Sequence, residues 1–317
     1  MQTPGAPTRR GVEESARKIE DLGYFALLVN DHVIGPGPDL GAAATVAQPV
    51  AAIPTVQLIA AATTTLRVGF RVIPVDYWNP TVLAKTLATL DLFSDGRLEV
   101  GLGAGWVTAE YEAIGVPMDK PSVRIARLGE VVDILRGLFA PGVVSVEGAH
   151  GVRAVGFEGL PRPVQQPGPP IAIGGGGRKL LELAARAADI VCFSYDNRAG
   201  VPGGTDPTSS TAAATTQKLG WVHDAAAGRA EQPELEIGAY SVTVTDDDPR
   251  DAAEAMSARV GLAPDEILRH PHTLIGTVDA ICDTIVERRE TYGFSYWTVL
   301  ERNVDAFAQV VARLAGT

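Results

Sequence analysis

"PPIAIGGGGRKLLELAARAADIVCF", Pro169–Phe193, sets an apolar run, four glycines, an amphipathic stretch and a second apolar run in direct succession. Ile171–Ile173 reads as a short buried strand, and Leu180 and Ala184 recur at helical spacing after it. "DIVCF" is then the next strand. A strand, a helix and a strand with no hairpin turn between them make a parallel pair, which needs a crossover helix.

The same unit recurs to either side. Val12, Ala16 and Ile19 mark a helix closed by Gly23, and "YFALLVNDH" follows as a buried strand. "LRVGFRVIP" and "RLEVGLGAG" are the next strands, separated by a helix that Asn79 caps and Pro80 opens. Beyond Phe193, "LEIGAYSVTVT" reads as one long strand and "YWTVL" as the last. Thr277 and Asn303 are the expected caps of the two closing helices. Seven strands each followed by a helix, with no linker composition between halves, imply one parallel sheet, and a closed (β/α)8 TIM-type barrel rather than an open one. The alternation opens on a helix, so the strand a barrel needs before Gly11 is missing or truncated. The reading is a single domain over 1–317, with insertions about 140–168 and 195–216.

A formal charge of −11 argues against a nucleic-acid partner, since a phosphate-binding face needs clustered Lys and Arg. The uncharged stretch Leu40–Leu66 is broken by Pro49 and Pro54, which argues against a membrane span. Cys192 and Cys282, the only cysteines, lie far apart in apolar patterns and read as reduced thiols of a cytoplasmic protein. No His/Cys cluster has zinc spacing, and His270 and His272, separated by Pro271, make a poor metal pair. A small-molecule partner remains.

Several segments resemble the luciferase-like flavin and deazaflavin oxidoreductases. "ARKIEDLGYFALLVNDH", with its Asp-His pair at a strand end, looks like the family's first helix and second strand. "NPTVLAKTLATLDLFSDGRLEVGLGAGW" is the most specific match, and the glycine stretch and "LIGTVDAICDTIVERRETYGFSYWTVL" follow in family order. The resemblance covers nearly the whole chain except about 195–270. It implies a barrel binding a flavin-like cofactor at the C-terminal ends of its strands, commonly as a homodimer. It also implies a first strand ending near Met1–Pro4, lost here or left out by a late start.

Gly174, Gly175, Gly176 and Gly177 do not fit GxGxxG, because the third glycine would fall on Lys179 or Leu180. They offer a strand end, bare backbone and a helix N-terminus, which together bind anions, with Arg178 adding charge. The competing reading is a tight turn, which needs one or two glycines rather than four. In the resembling family this turn holds the cofactor phosphate, and Ser194 would add a hydroxyl.

Asn30-Asp31-His32 ends a buried strand. His32 is the candidate proton shuttle, and Asp31 would fix its tautomer or orient the cofactor. The resemblance supports this role for His32. Trp106 would stack on a ring or fill the core. It stands where sugar-phosphate dehydrogenases of the family have Glu, which argues against that substrate. Glu110 and Glu112 read as exposed helix-start carboxylates. Family members often carry a non-proline cis peptide behind the ring, and Phe70–Arg71 is the best-matching pair; Asp76, Tyr77 and Trp78 would line the mouth. The expected function is hydride transfer between coenzyme F420 and a small organic substrate. The alternatives are an FMN-dependent monooxygenase and a non-catalytic cofactor-binding member.

Overall fold

The computed structural model describes residues 8–36, 45–201, 206–246 and 248–317. Seven parallel strands form its main sheet: β1 (Ala26–Val29), β2 (Arg67–Phe70), β3 (Leu98–Gly103), β4 (Ile171–Gly175), β5 (Ile190–Phe193), β6 (Glu234–Ala239) and β7 (Phe294–Val299). They pair in that order from β1 to β7, and a short bridge at Ile73–Pro74 also pairs with β3. Every crossover carries at least one helix, as the alternation of short apolar runs and amphipathic stretches requires.

The helices form where the local chemistry starts and stops them. α1 (Arg9–Asp21) begins with the Thr8 hydroxyl accepting from Gly11 N–H, and it buries Val12, Ala16 and Ile19. Gly23 follows at φ +80°, the left-handed region that ends the helix. α2 (Ala52–Ala62) and α3 (Pro80–Phe93) cover the next strands, and the Asn79 side chain accepts from Thr81 and Val82 N–H to cap α3. Such a cap contributes about 1 kcal/mol. α4 (Thr108–Ile114) is short, α5 (Pro121–Phe139) is the longest, and α6 (Arg178–Ala187) follows the glycine run. α7 (Ala212–Ala226), α8 (Arg250–Val260), α9 (Pro264–Arg269), α10 (Val278–Tyr292) and α11 (Val304–Leu314) complete the order. Thr277 caps α10 as expected, accepting from Ala280 N–H. Asn303 does not cap α11 with its side chain: a single 3-10 turn, Glu301–Asn303, leads into that helix instead.

One sequence expectation is corrected in the strands. "LEIGAYSVTVT" is not one strand, because β6 stops at Ala239 and Ser241–Val244 leaves the sheet to pair in parallel with Thr273–Gly276. The insertion after α5 is an antiparallel hairpin, Val143–Glu147 against Arg153–Glu158. The second insertion lies partly outside the described residues.

The seven strands curl until the outer two approach each other. No ladder joins β1 to β7 among the described residues, and the closure is made by side chains and helices. The Phe25 and Tyr296 rings meet edge to face at 5.9 Å, Lys18 pairs with Asp305, and Tyr24 donates to the Val304 carbonyl. Inside the curl a polar layer bridges the strands. Arg67 pairs with Glu99 at 2.7 Å, and Tyr296 donates to the same carboxylate at 3.0 Å. Arg71 pairs with Glu236 at 2.8 Å, and Thr298 donates to Glu236. Opposite charges set across β2, β3 and β6, with hydroxyls from β7, pair these buried groups.

Candidate active site

The C-terminal strand ends open into one large cavity of about 2290 Å³, which extends along the β1–β7 seam. In a parallel barrel this end gathers the connecting loops, so side chains distant in sequence meet there. His32 follows β1, Arg71 and Val72 follow β2, Trp106 follows β3, and Ser194 follows β5, and all line this cavity. Gly174, Gly175, Gly176 and Gly177 form another part of its wall.

The four glycines serve different ends. A Cβ on Gly176 would collide with the carbonyls of Ser194 and Tyr195, so close backbone approach requires glycine there. A Cβ on Gly177 would meet nothing within 4 Å, so the space beside it is open. Gly177 is the N-cap of α6 and no side chain caps that helix. The first-turn amides and the positive end of the helix dipole therefore face a cavity without a protein carboxylate or hydroxyl in the capping position. The tight-turn reading fits Gly176, and the open space at Gly177 leaves room for a ligand.

Arg178 does not join this cradle. Its guanidinium pairs with Glu182 one turn along α6 at 2.7 Å and lies over the Trp221 ring, with 66% of the side chain exposed. The i,i+4 spacing on the helix surface draws it outward. Phe70 is likewise absent from the cavity wall: at 1% exposure it belongs to the hydrophobic core. The non-proline cis peptide lies one residue further on than expected, at Arg71–Val72.

His32 meets a residue read from the sequence as exposed. Glu110, on α4, is completely buried. Its Oε2 lies 2.8 Å from His32 Nδ1 and accepts from the Tyr77 hydroxyl at 2.8 Å, while Oε1 accepts from the N–H groups of Val33 and Ile34. Burial acts to raise its pKa, but the bonds from His32, Tyr77 and Val33 outweigh it and hold the carboxyl below its ordinary value. An ionised carboxylate at Nδ1 fixes the imidazole and leaves Nε2 as the nitrogen able to exchange a proton. Glu112, by contrast, is exposed as expected.

Asp31 does not orient His32. Its Oδ2 accepts from the Trp78 indole N–H at 2.8 Å, and burial raises its pKa. Trp78 packs against the core, and Asp76 is buried by Arg127 and Tyr111. Trp106 stands edge-on to His32, with ring centroids 6.4 Å apart and planes at 87°. Sequence reasoning had a usable signal for Glu110: it lies three residues after Val107 and four before Ile114, on the stripe that α4 turns inward.

Elsewhere, the Tyr195, Tyr240 and His272 rings pack against one another, with centroids 4.7–5.4 Å apart. His272 Nδ1–H donates to the Gly238 carbonyl at 2.7 Å, and burial holds its pKa well below the ordinary value. Tyr195 and Tyr240 of this cluster line the cavity. Among the described residues no group of three or more His, Cys, Asp or Glu side chains is gathered for a metal ion. No helix among them is long and apolar enough to cross a membrane.

The family model of the luciferase-like monooxygenases matches residues 1–279. The chain belongs to that family. Curated relatives include an FMNH(2)-dependent dimethylsulfone monooxygenase of Pseudomonas putida, 32% identical over 49% of this chain and 42% of the relative. An F420-dependent glucose-6-phosphate dehydrogenase of Amycolatopsis mediterranei (strain U-32) is also 32% identical, over 58% of this chain and 54% of the relative. The chain spans about half the length of the curated relatives it matches. Among solved structures, the monooxygenase RslO1 from Streptomyces bottropensis superposes with a TM-score of 0.71 at 23% identity, over 98% of this chain and 96% of that one. An F420-dependent secondary alcohol dehydrogenase, solved with an F420–acetone adduct, gives 0.71 at 19% identity over the same shares of the two chains. These likenesses establish the fold as the luciferase-like barrel type, with seven parallel strands among the described residues of this member.

Proposed function

We propose that this luciferase-like chain is an oxidoreductase that uses a flavin-type cofactor, and that it moves a hydride between the deazaflavin F420 and a small alcohol or carbonyl compound. The observation that carries this reading is the His32–Glu110 pair at the cavity wall. A carboxylate holding Nδ1 leaves Nε2 to give or take the proton that accompanies a hydride at a carbonyl carbon. The residues present fit such a cofactor. Gly174–Gly177 and the uncapped start of α6 offer an anion site, and the open space beside Gly177 is where a phosphate would lie. When bound, the deazaflavin supplies the two-electron hydride chemistry, which the side chains cannot.

The chain's own part is positioning and proton handling. Val33 and Ile34 N–H anchor the Glu110 carboxylate, Tyr77 donates to it, and the carboxylate sets the imidazole. Trp106 limits the space over the ring of His32. This arrangement supports a small, uncharged substrate next to the imidazole. A homodimer belongs to the same reading. Val82, Phe93 and Leu160 stand 57–62% exposed near one another around a groove, a face that a second copy would cover; light scattering of the purified chain tests it.

The second reading is an FMN-dependent monooxygenase. It is favoured by Trp106, which stands where the sugar-phosphate dehydrogenases carry an acidic residue, and by the dimethylsulfone monooxygenase among the relatives. Arg178 gives no support to either cofactor, because it is paired with Glu182. Fluorescence titration with reduced and oxidised F420 and with FMN decides between them. Tight binding of F420 with turnover of a secondary alcohol supports the first reading. Selective FMN binding with oxygen uptake replaces it by the second, and silence with both cofactors overturns the enzyme reading.

A further inference from the structure

Lys218, on α7, is 4% exposed. Its Nζ donates to the Ser194 carbonyl at 2.8 Å and to the Ser210 hydroxyl at 2.8 Å. Both acceptors are neutral, and among the described residues no carboxylate lies within ion-pair distance of it. A buried ammonium without a counter-charge is unfavourable, and proteins seldom keep one unless something else neutralises it.

Its position says what that something is. The Ser194 carbonyl that Lys218 binds is one of the two against which Gly176 packs. The ammonium and Gly176 therefore meet the same backbone carbonyl oxygen, and Lys218 lies next to the glycine cradle without lining the cavity. It also draws that carbonyl's lone pairs to itself and away from any anion in the cradle.

We propose that Lys218 is the electrostatic positioning residue of the anion cradle: through the Ser194 carbonyl that it shares with Gly176, it supplies the positive charge that a bound cofactor phosphate neutralises. The inference rests on the cofactor reading above and deepens it, assigning the charge first expected of Arg178 to a residue forty positions later in the chain. The other charged and titratable groups around Lys218 are few. Asp196, after β5, attracts it from beyond ion-pair range and is itself paired with Arg198. His270 and His272 face it from the segment before Thr273–Gly276, and burial lowers the pKa of both, so they add no charge at neutral pH. Burial brings Lys218 itself down to about 8. A phosphate nearby favours the protonated amine, so affinity for a phosphate-bearing ligand falls as pH rises from 7 to 9.

The test compares ligands with and without the phosphate. The full chain, Lys218→Met and Lys218→Arg are titrated by fluorescence with FMN and riboflavin, which differ in the phosphate alone, and with F420 and its ribityl deazaflavin core, which lacks both the phosphate and the acidic tail. Lys218→Met is expected to weaken the phosphate-bearing member of the binding pair about tenfold, the scale of one charge acting at this range in partly buried surroundings. It should leave the phosphate-free member unchanged and abolish the pH dependence, and Lys218→Arg should restore most of the loss. Equal weakening of both members, or no weakening, overturns the proposal, as does a wild-type affinity that is flat from pH 7 to 9. If Lys218→Met does not fold, the wild-type pH dependence and Lys218→Arg decide. Wild-type protein that binds the phosphate-bearing and phosphate-free forms alike overturns the role of Lys218 and leaves the cofactor reading standing. Binding of none of the four overturns both.

Discussion

Glu110 Oε2 lies 2.8 Å from His32 Nδ1, and the same carboxylate holds the two backbone N–H groups that follow His32. One side chain from α4 therefore fixes both the imidazole and the loop that carries it. His32→Ala is expected to lower kcat by about 10²–10⁴, the usual share of a positioned acid–base group. It should leave cofactor affinity within about twofold, since the imidazole is no part of the glycine cradle. Stopped-flow kinetics beside equilibrium titration separates the two, and unchanged turnover would remove His32 from the mechanism.

Glu110→Gln should lower turnover and also stability. Its carboxyl is held below the ordinary pKa, so its contribution is fully present above the unfolded value and is lost as pH falls through the folded one. The variant is expected to be less stable than wild type at pH 7 by about 1–3 kcal/mol, the cost of weakening a buried hydrogen-bonded group. The gap should narrow in the acid range. Urea denaturation at a series of pH values measures it, and a gap independent of pH would show that the charge on Glu110 does not matter.

The sheet was legible because its information is local. Each strand of the order is a short apolar run between turn signals, and a parallel ladder follows once helices separate the runs. The break at Tyr240 was not, since "GAYSV" continues the β pattern and only the pairing with Thr273–Gly276 diverts it. The site was legible by position and illegible by partner. His32 and the glycines could be placed at strand ends, but Glu110 is buried by a loop 78 residues earlier in the chain. Asp31 was assigned to His32 by adjacency, yet neighbouring residues at a strand end point to opposite sides, and Asp31 meets Trp78. Lys218 gave no signal at all, since an isolated Lys in a helix is ordinarily on its wet face.

The glycine run separates packing from binding. Gly176→Ala should destabilise the protein by about 1–3 kcal/mol, because the added methyl meets backbone carbonyls that cannot move without distorting β5. Gly177→Ala has an ordinary extended φ of −89° and open space, so its stability should match wild type. Its methyl fills the space offered to a phosphate, and cofactor affinity should fall. Thermal melts and titrations of the two variants, run side by side, give opposite patterns if the two glycines have these two roles.

Arg71 and Glu236 form a buried pair that crosses the barrel interior from the end of β2 to β6. Burial opposes the charged guanidinium, but Glu236 holds its pKa well above the ordinary value. Arg71→Met should cost about 3–5 kcal/mol, because Glu236 keeps its charge with neutral partners alone among the described residues, the Thr298 hydroxyl and the Cys192 thiol. Adding Glu236→Gln to that variant should return part of the loss, since no charge is then stranded. A double variant no more stable than Arg71→Met would mean that packing, and not the lost counter-charge, accounts for the effect.

Glu20 gives the clearest acid signature. Its Oε1 accepts from the N–H groups of Thr64, Thr65 and Leu66 at 2.6–2.9 Å, and so ties the end of α1 to the turn that starts β2. Burial acts to raise its pKa, but the N–H groups of Thr65, Leu66 and Thr64 outweigh it and bring it down to about 2. A depressed carboxyl contributes fully above its unfolded value of about 4 and loses that contribution as pH falls through 2. Glu20→Gln keeps an acceptor and loses the charge. It should melt a few degrees below wild type at neutral pH, with the deficit shrinking between about pH 4 and pH 2 as the wild-type carboxyl takes up its proton. Because the turn lies at the opposite end of β2 from His32, Arg71 and the glycine run, cofactor affinity at neutral pH should be unchanged. A change in affinity would mean that the tie is transmitted along β2 to Arg71.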